Sequence, residues 1–354
     1  MLNYPESVQY STTEVFEKRF SMRVLVTGGA GFIGSRVAAE LQLTGHSVVC
    51  SDNFSDYYPV ELKKMRVDEL LNTINVPIEN VDLADIGEVQ KLFEKFDPQV
   101  VVHLAAQAGV RLNGLQMLKY VPSNMSAFGN VLLTSISRNV KGFMYASSSS
   151  VYGDQAKIPF RESEKLLAPT SFYGATKLAN EVLAKSFAGK CNTMMRGMRF
   201  FTVYGPYGRP DMAYFRIATA LATNSDFKLF GDGDIKRDFT YIGDVVKSVS
   251  LLLDQLLTEQ PGFSDVVNLG GGRPLSMLDL IESMEKIFAT KLNYSNQSRN
   301  LSDVSITFSD SQYLKSLIGT IPEVNVETGM AEVIKWTLRP DIQRKLKGWI
   351  AATP

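Results

Sequence analysis

The sequence predicts an α/β fold, a doubly wound parallel sheet followed by a smaller C-terminal α/β lobe. Three observations predict it. Short apolar runs rich in β-branched residues alternate with stretches of helical periodicity through the first half of the chain. A glycine triplet, Gly28-x-x-Gly31-x-x-Gly34, follows the first run and opens the first helical stretch. An acid, Asp52, closes the second run. Strands that alternate with helices imply right-handed crossovers, hence parallel strands covered on both faces.

The elements read in order as follows. Residues 23–27 form a buried strand, 33–43 a helix stopped near Gly45, and 48–51 a second strand. A helix is expected around 61–70, a short strand at 77–81 and a helix at 86–96. A fourth strand covers 100–104, a helix 123–138 and a fifth strand 143–146. This is a Rossmann-type pattern. Beyond 199–202 the alternation fades, where Pro206, Pro210 and several glycines interrupt the chain. Residues 22–198 are therefore expected as the dinucleotide-binding domain. Residues 199–354 are expected mainly as a substrate-binding lobe, with the chain crossing between the two. Residues 1–21 have no apolar run, so they read as a tail and not as a signal peptide.

Composition excludes several functions. The chain has 354 residues, with 37 Lys+Arg balancing 37 Asp+Glu. Without a basic run, no nucleic-acid partner is expected. No stretch has the apolar length that spans a bilayer, so no membrane partner is expected either. The two cysteines, Cys50 and Cys191, read as reduced thiols of a cytoplasmic protein. With only His46 and His103 besides them, no metal site is expected.

In the glycine triplet, the first glycine permits a tight turn and the second admits a pyrophosphate close to the backbone. The third lets helix and strand pack closely, and the helix N-terminus offers free amides to phosphates. Asp52 suits both ribose hydroxyls and repels a 2′-phosphate, so NAD is expected over NADP. Asp82 ends the third strand, where it reads equally as an adenine-edge ligand or a helix cap.

Tyr173 and Lys177 lie one helical turn apart and share a face. Pro169, Thr170 and Ser171 supply the helix start. A phenol titrates near pH 10 and acts as a base near neutrality only beside a cation. Lys177 is one such cation, and an oxidised nicotinamide is another. Ser148, in the run Ser147-Ser-Ser-Ser150, adds a hydroxyl that can bond a substrate oxygen. The catalytic residues expected are Ser148, Tyr173 and Lys177.

Taken together, these residues resemble the nucleotide-sugar epimerase branch of the extended short-chain dehydrogenases/reductases. The matching stretches are Thr27-Gly-Gly-Ala-Gly-Phe-Ile-Gly-Ser35, Asp52-Asn53, His103-Leu-Ala-Ala106, Ser147-Ser-Ser-Ser-Val-Tyr-Gly153, Tyr173-Gly-Ala-Thr-Lys177 and Arg237-Asp-Phe-Thr-Tyr-Ile-Gly-Asp244. Two further stretches, 103–111 and 199–212, are similar to UDP-glucuronate 4-epimerases. The resemblance implies that Gly28, Gly31, Phe32, Ile33, Gly34, Asp52, Asn53, Asp82, Leu83, Leu104, Ala105, Ala106, Tyr173 and Lys177 hold NAD. It also implies a mechanism. Tyr173 takes the proton of the sugar 4-hydroxyl, hydrogen at that carbon passes to NAD, and the 4-keto sugar turns before hydrogen returns to its other face.

The same resemblance assigns the substrate side. Ser148 steadies the 4-oxygen, with Ser149 and Ser150 along the same edge. Arg209 is similar to an arginine that faces a hexuronate carboxylate, although a loop salt bridge is its alternative, and Arg111 is a second candidate. Thr202 stands where a UDP-galactose epimerase has asparagine. Arg237 falls on the substrate diphosphate, and Met212 and Phe215 fall either on the uracil pocket or in lobe core. Asp303 matches a ribose-binding acid, whereas Asn300 departs from the family pattern. A 4,6-dehydratase or a decarboxylase needs a carboxylate where Ser149 or Ser150 stands. A neutral or N-acetylated UDP-hexose stays open as substrate, because Thr307 is small enough to admit an N-acetyl group. A non-catalytic dinucleotide sensor would not need Tyr173 and Lys177. A homodimer, paired through the helices after Pro122 and around Tyr173, is implied by the same resemblance.

Overall fold

Val24, Leu25 and Val26 have no exposed surface. Their strand is covered on both sides, which is why it reads as an unbroken apolar run. The computed structural model describes residues 21–353 except 110, 111, 113, 155 and 299–303. The first part of the chain builds β1 (Arg23–Thr27), α1 (Phe32–Leu43), β2 (Ser47–Asp52), α2 (Val60–Arg66), β3 (Ile78–Asn80), α3 (Ile86–Phe96), β4 (Val100–His103), α4 (Ala127–Ser137), β5 (Gly142–Ser148), α5 (Phe172–Ser186) and β6 (Met194–Phe200). The rest builds β7 (Thr202–Tyr204), α6 (Ala213–Thr223), β8 (Phe227–Phe230), β9 (Lys236–Tyr241), α7 (Ile242–Leu256), β10 (Ser264–Leu269), β11 (Pro274–Ser276), α8 (Met277–Phe288), β12 (Tyr294–Gln297), α9 (Gln312–Ile318) and α10 (Val326–Thr337).

Seven parallel strands form the main sheet in the order β10-β6-β5-β4-β1-β2-β3. Strand alternation divides its side chains. Val24 and Val26 face α1 and α7, where Val37, Leu41, Val249 and Leu252 are buried. Leu25, Val101 and Phe143 face α3 and α4 on the other side, among Leu92, Phe93 and Phe128. The sequence order of the strands reverses between β1 and β4. That is the point at which open α/β sheets leave a crevice at their carboxyl ends.

Two small sheets, β11-β9-β7 and β12-β8, carry the second lobe. Its core gathers Tyr214, Phe215, Phe239, Leu280, Trp336 and Trp349. The chain leaves the main sheet after β6 and returns as β10, beside β6.

Several boundaries differ from the sequence expectation. Strand β5 runs past Ala146 through Ser148. Serine has little preference for strand, but Ser147 and Ser148 pair with Arg199 and Phe200 of β6, and that pairing extends the strand. The helix expected around 61–70 is α-helical only to Arg66 and continues as a π-turn, Val67–Leu71. A second π-turn, Val121–Ser126, precedes α4.

Phe128 is fully buried and packs edge-on against Phe143 and Tyr145, with ring centroids 5.9 and 5.3 Å away. The Phe128→Ala variant should lose about 3–5 kcal/mol of stability in urea unfolding. A change below about 1 kcal/mol would contradict this packing.

Candidate active site

The functional residues converge at the carboxyl ends of β1, β2, β4 and β5. One cleft there is lined by Gly28, Gly31, Phe32, Ile33, Gly34, Asp52, Asn53, Asp82, Leu83, Leu104, Ala105, Ala106, Ser148, Tyr173, Lys177, Arg209 and Met212. The crossing point of the sheet brings together segments that are far apart in sequence.

The glycine turn has no room for side chains. Gly28 has φ +71°, and a Cβ there would lie 2.8 Å from the Ala105 nitrogen. A Cβ on Gly34 would lie 2.1 Å from the Gly28 carbonyl oxygen. Helix α1 starts at Gly31 with no side-chain cap. Its first turn therefore keeps the anion-seeking character of a helix N-terminus.

Asp52 is nearly buried and holds the neighbouring loop. Its carboxylate accepts from the amides of Ala30 (3.2 Å) and Phe54 (2.8 Å), and from Lys63 Nζ (3.2 Å). Lys63 lines the same cleft. The acid that closes β2 thus comes with a cation beside it, which the sequence reading missed. Lys63 belongs to α2, 11 positions after Asp52, and that separation carries no recognisable spacing. Asp82 lines the cleft too, but its carboxylate accepts from the Ala84 amide (3.0 Å). The cap of α3 is Asp85.

Beneath the cleft, Thr27 Oγ1 meets His103 Nδ1 at 2.9 Å and accepts from the Ala105 amide at 3.2 Å. Burial, reinforced by the charge of Lys177, pushes His103 down to about 3. The imidazole is therefore neutral and structural.

Ser171 caps α5 through the Gly174 amide (3.0 Å), which sets Tyr173 and Lys177 in its first turns. Lys177 Nζ donates to the Ala146 carbonyl (2.9 Å) and lies 5.9 Å from the centre of the Tyr173 ring. Burial lowers Lys177 to about 8. Burial also raises the Tyr173 phenol, while the charge of Arg209 and a hydrogen bond with Ser148 pull it down. Lys177 was expected to be the protein's cation for this phenol. Arg209 and Ser148 are further groups that favour its ionised form.

Arg209 was read as either a carboxylate ligand or a loop salt bridge; the structure shows a loop salt bridge at the edge of the cleft. Its Nε and Nη2 donate to Asp211 at 2.9 and 2.6 Å. One bidentate edge is thereby taken, and Nη2 also donates to Met212 Sδ (3.9 Å). Burial opposes the Arg209 charge, but Asp211 outweighs it and holds the guanidinium above its ordinary value. Asp211 stands two residues from Arg209, so a carboxylate at that spacing was the available signal.

Other expected substrate residues lie elsewhere. Phe215 is 2 % exposed and packs against Trp336 in the second-lobe core, so core is the reading that holds for it. Thr202 begins β7 and is half-buried. Ser149 and Ser150 enter a short turn, where the Ser150 amide donates to Ser148 Oγ (3.2 Å). Arg237 Nη1 donates to the carbonyls of Lys236 (2.9 Å) and Val304 (2.8 Å). Thr307 is buried and accepts from the Asp238 amide (3.2 Å). Arg111, Asn300 and Asp303 lie outside the described residues. Among the described residues, no cluster of three His, Cys, Asp or Glu could hold a metal ion, and no helix is long and apolar enough to cross a membrane.

A glycine cradle over a helix N-terminus, an acid at the end of β2 and a Ser–Tyr–Lys set define a dinucleotide-dependent enzyme of the extended short-chain dehydrogenase/reductase class. Comparison with known proteins narrows this. Residues 24–270 match the NAD dependent epimerase/dehydratase family. The chain is 36 % identical over 329 residues to a probable UDP-glucuronate 4-epimerase of Rhizobium meliloti, covering 89 % of this chain and 96 % of the relative. It is 38 % identical over 334 residues to UDP-glucuronate 4-epimerase 2 of Arabidopsis thaliana, covering 90 % of this chain and 76 % of the relative. The crystal structure of UDP-glucuronic acid 4-epimerase from Bacillus cereus, in complex with UDP-glucuronic acid and NAD, superposes with a TM-score of 0.82. That pair shares 32 % identity, covering 89 % of this chain and 98 % of the other. The chain belongs to the NAD-dependent epimerase/dehydratase family.

Two outcomes test this site. Gly34→Ala should yield folded protein with little bound dinucleotide, read by denaturing the purified protein and quantifying released NAD. Arg209→Gln removes a positive charge near Tyr173, which disfavours phenolate and raises its pKa. The acidic limb of the kcat/KM profile, which reports the free enzyme, should therefore move to higher pH. Arg209→Lys should leave it closer to the wild type. An unmoved limb in Arg209→Gln would remove the arginine from this role.

Proposed function

We propose that the protein is an NAD-dependent UDP-sugar 4-epimerase that interconverts UDP-glucuronate and UDP-galacturonate. The observation that carries the reading is Arg209, half-buried in the same cleft as Ser148 and Tyr173 and within electrostatic reach of the phenol. A guanidinium held in place by Asp211 on its Nε–Nη2 edge suits a carboxylate on the sugar's sixth carbon.

The cleft residues fit NAD: the glycine turn and the start of α1 for its diphosphate, Asp52 with Lys63 for a ribose, and Lys177 near the reacting end. Bound there, NAD supplies a reversible acceptor for the hydrogen on carbon 4. The protein's own residues do the rest. Ser148 steadies the 4-oxygen by a hydrogen bond. Tyr173 takes the hydroxyl proton as a phenolate and returns it later. Arg209 favours that phenolate and holds the uronate group. Because a 4-keto uronate is a β-keto acid, fixing the carboxylate also guards against loss of carbon dioxide. Turning the sugar between the two hydrogen transfers inverts carbon 4 with no net redox change.

The rivals lack their acids. Ser149 and Ser150 stand where a dehydratase or decarboxylase would need a carboxylate. A neutral hexose would offer Arg209 no second carboxylate.

We further infer a homodimer. Leu133 on α4 and Val182 on α5 are 53 % and 62 % exposed, and Phe172 and Leu183 are also exposed on α5. Apolar side chains facing outward on two neighbouring helices favour pairing of those helices with a second copy. The unpaired thiols Cys50 and Cys191 support a reducing, cytoplasmic setting.

Incubated with UDP-glucuronate and no added NAD, the pure protein should form UDP-galacturonate, seen by proton NMR. Tyr173→Phe should lose most turnover while keeping its NAD. Turnover of UDP-glucose or UDP-N-acetylglucosamine alone would overturn the uronate assignment. Light scattering at micromolar concentration should give the mass of a dimer, and a monomer mass would refute the pairing.

A further inference from the structure

Arg66 is the last residue of α2, and none of its surface is exposed. A buried cation normally sits against a carboxylate, because isolated burial of charge is costly. The four hydrogen bonds of Arg66 go instead to neutral oxygens, and those oxygens belong to three different segments. Nη1 donates to the Ala30 carbonyl (3.1 Å), inside the glycine turn. It also donates to the Tyr58 hydroxyl (2.7 Å), on the loop after β2. Nε donates to the Tyr207 carbonyl (2.9 Å) and Nη2 to the Gly208 carbonyl (3.1 Å). Gly208 directly precedes Arg209.

Both ends of this bridge are otherwise under tension or at a binding surface. Ala30 is gripped from two sides, its amide by Asp52 and its carbonyl by Arg66. Tyr207 has φ +63°, a left-handed conformation that bulky residues avoid. It is held there by Arg66 on its carbonyl and by Glu69, which accepts from its hydroxyl at 2.5 Å. Arg66 and Glu69 lie within one turn of each other, on the end of α2 and the π-turn that follows it.

We propose that Arg66 is a positioning residue that couples the two halves of the site. It locks the cofactor cradle at Ala30 to the arm that carries Arg209, so that an anion filling one side preorganises the other. A diphosphate held by the glycine cradle would bring negative charge to the side of the turn that Arg66 grips, where its hydrogen-bond partners among the described residues are neutral. The inference rests on the proposed reading of Arg209 as the ligand of the uronate group. Coupling of this kind is reciprocal: a ligand that engages the arm must slow the loss of NAD.

The test is NAD release from the purified holoenzyme, followed by quantifying the nucleotide left on the protein after gel filtration. It is run with saturating UDP and with saturating UDP-glucuronate. In the wild type, UDP-glucuronate should protect bound NAD more than UDP does, by roughly tenfold in release rate. In Arg66→Gln the two ligands should protect equally. Arg66→Lys keeps the charge but reaches fewer acceptors, so it should fall between them; it also serves if the glutamine variant does not fold. Extra protection by UDP-glucuronate that stays at the wild-type level in the folded variants overturns the coupling, whatever their basal release rate. Its absence from a wild type that binds UDP-glucuronate does the same. If calorimetry shows that UDP-glucuronate does not bind the wild type, the substrate assignment fails instead, and the same ratio measured with UDP-glucose decides the role of Arg66.

Discussion

The structure depends on the reversal of strand order between β1 and β4. Where crossovers leave a parallel sheet in opposite directions, the carboxyl ends of adjacent strands are left uncovered. Four groups of cleft residues stand on or just beyond such ends: Gly28 after β1, Asp52 closing β2, Leu104 after β4 and Ser148 closing β5. The glycine turn crosses that opening so closely that its backbone lies against Ala105. A side chain at Gly28 or Gly34 would push apart the elements that make the crevice.

Within the crevice, charge is arranged by burial. Asp52 is offset by Lys63, and Arg209 by Asp211. Lys177 is buried against a carbonyl, and burial weakens its hold on its proton. Tyr173 is buried as well, and its neighbours Ser148 and Arg209 restore part of the acidity that burial removes. A bound dinucleotide would therefore enter a site whose anion-binding turn, ribose acid and phenol are already set in place by packing. Arg66 extends this logic into the second lobe, since one guanidinium fastens both the cradle and the arm that bears Arg209.

Much of this was legible in the chain because it is local. The glycine spacing, the acid at the end of β2 and the Tyr173–Lys177 repeat are all set by backbone periods that a sequence displays directly. Met212 lines the cleft and Phe215 lies in the core, although only two residues separate them on the same loop and helix. That distinction depends on which neighbour each side chain meets, and no period records it. Lys63, Asp211 and Arg66 escaped notice for the same reason. An isolated lysine or arginine on a helix reads as a solvated surface charge, and only the fold brings Asp52 or Ala30 against it.

The sequence by itself determined the alternation of strand and helix, the anion-binding turn and the pair of groups able to move a proton, because each rests on residues close together along the chain. Only folding brought Arg209 and Ser148 to the phenol and fastened the second lobe to the first. Those outcomes follow from burial and from hydrogen bonds between segments as distant as Arg66 and Gly208, and burial strengthens electrostatic effects only after the chain has folded around them.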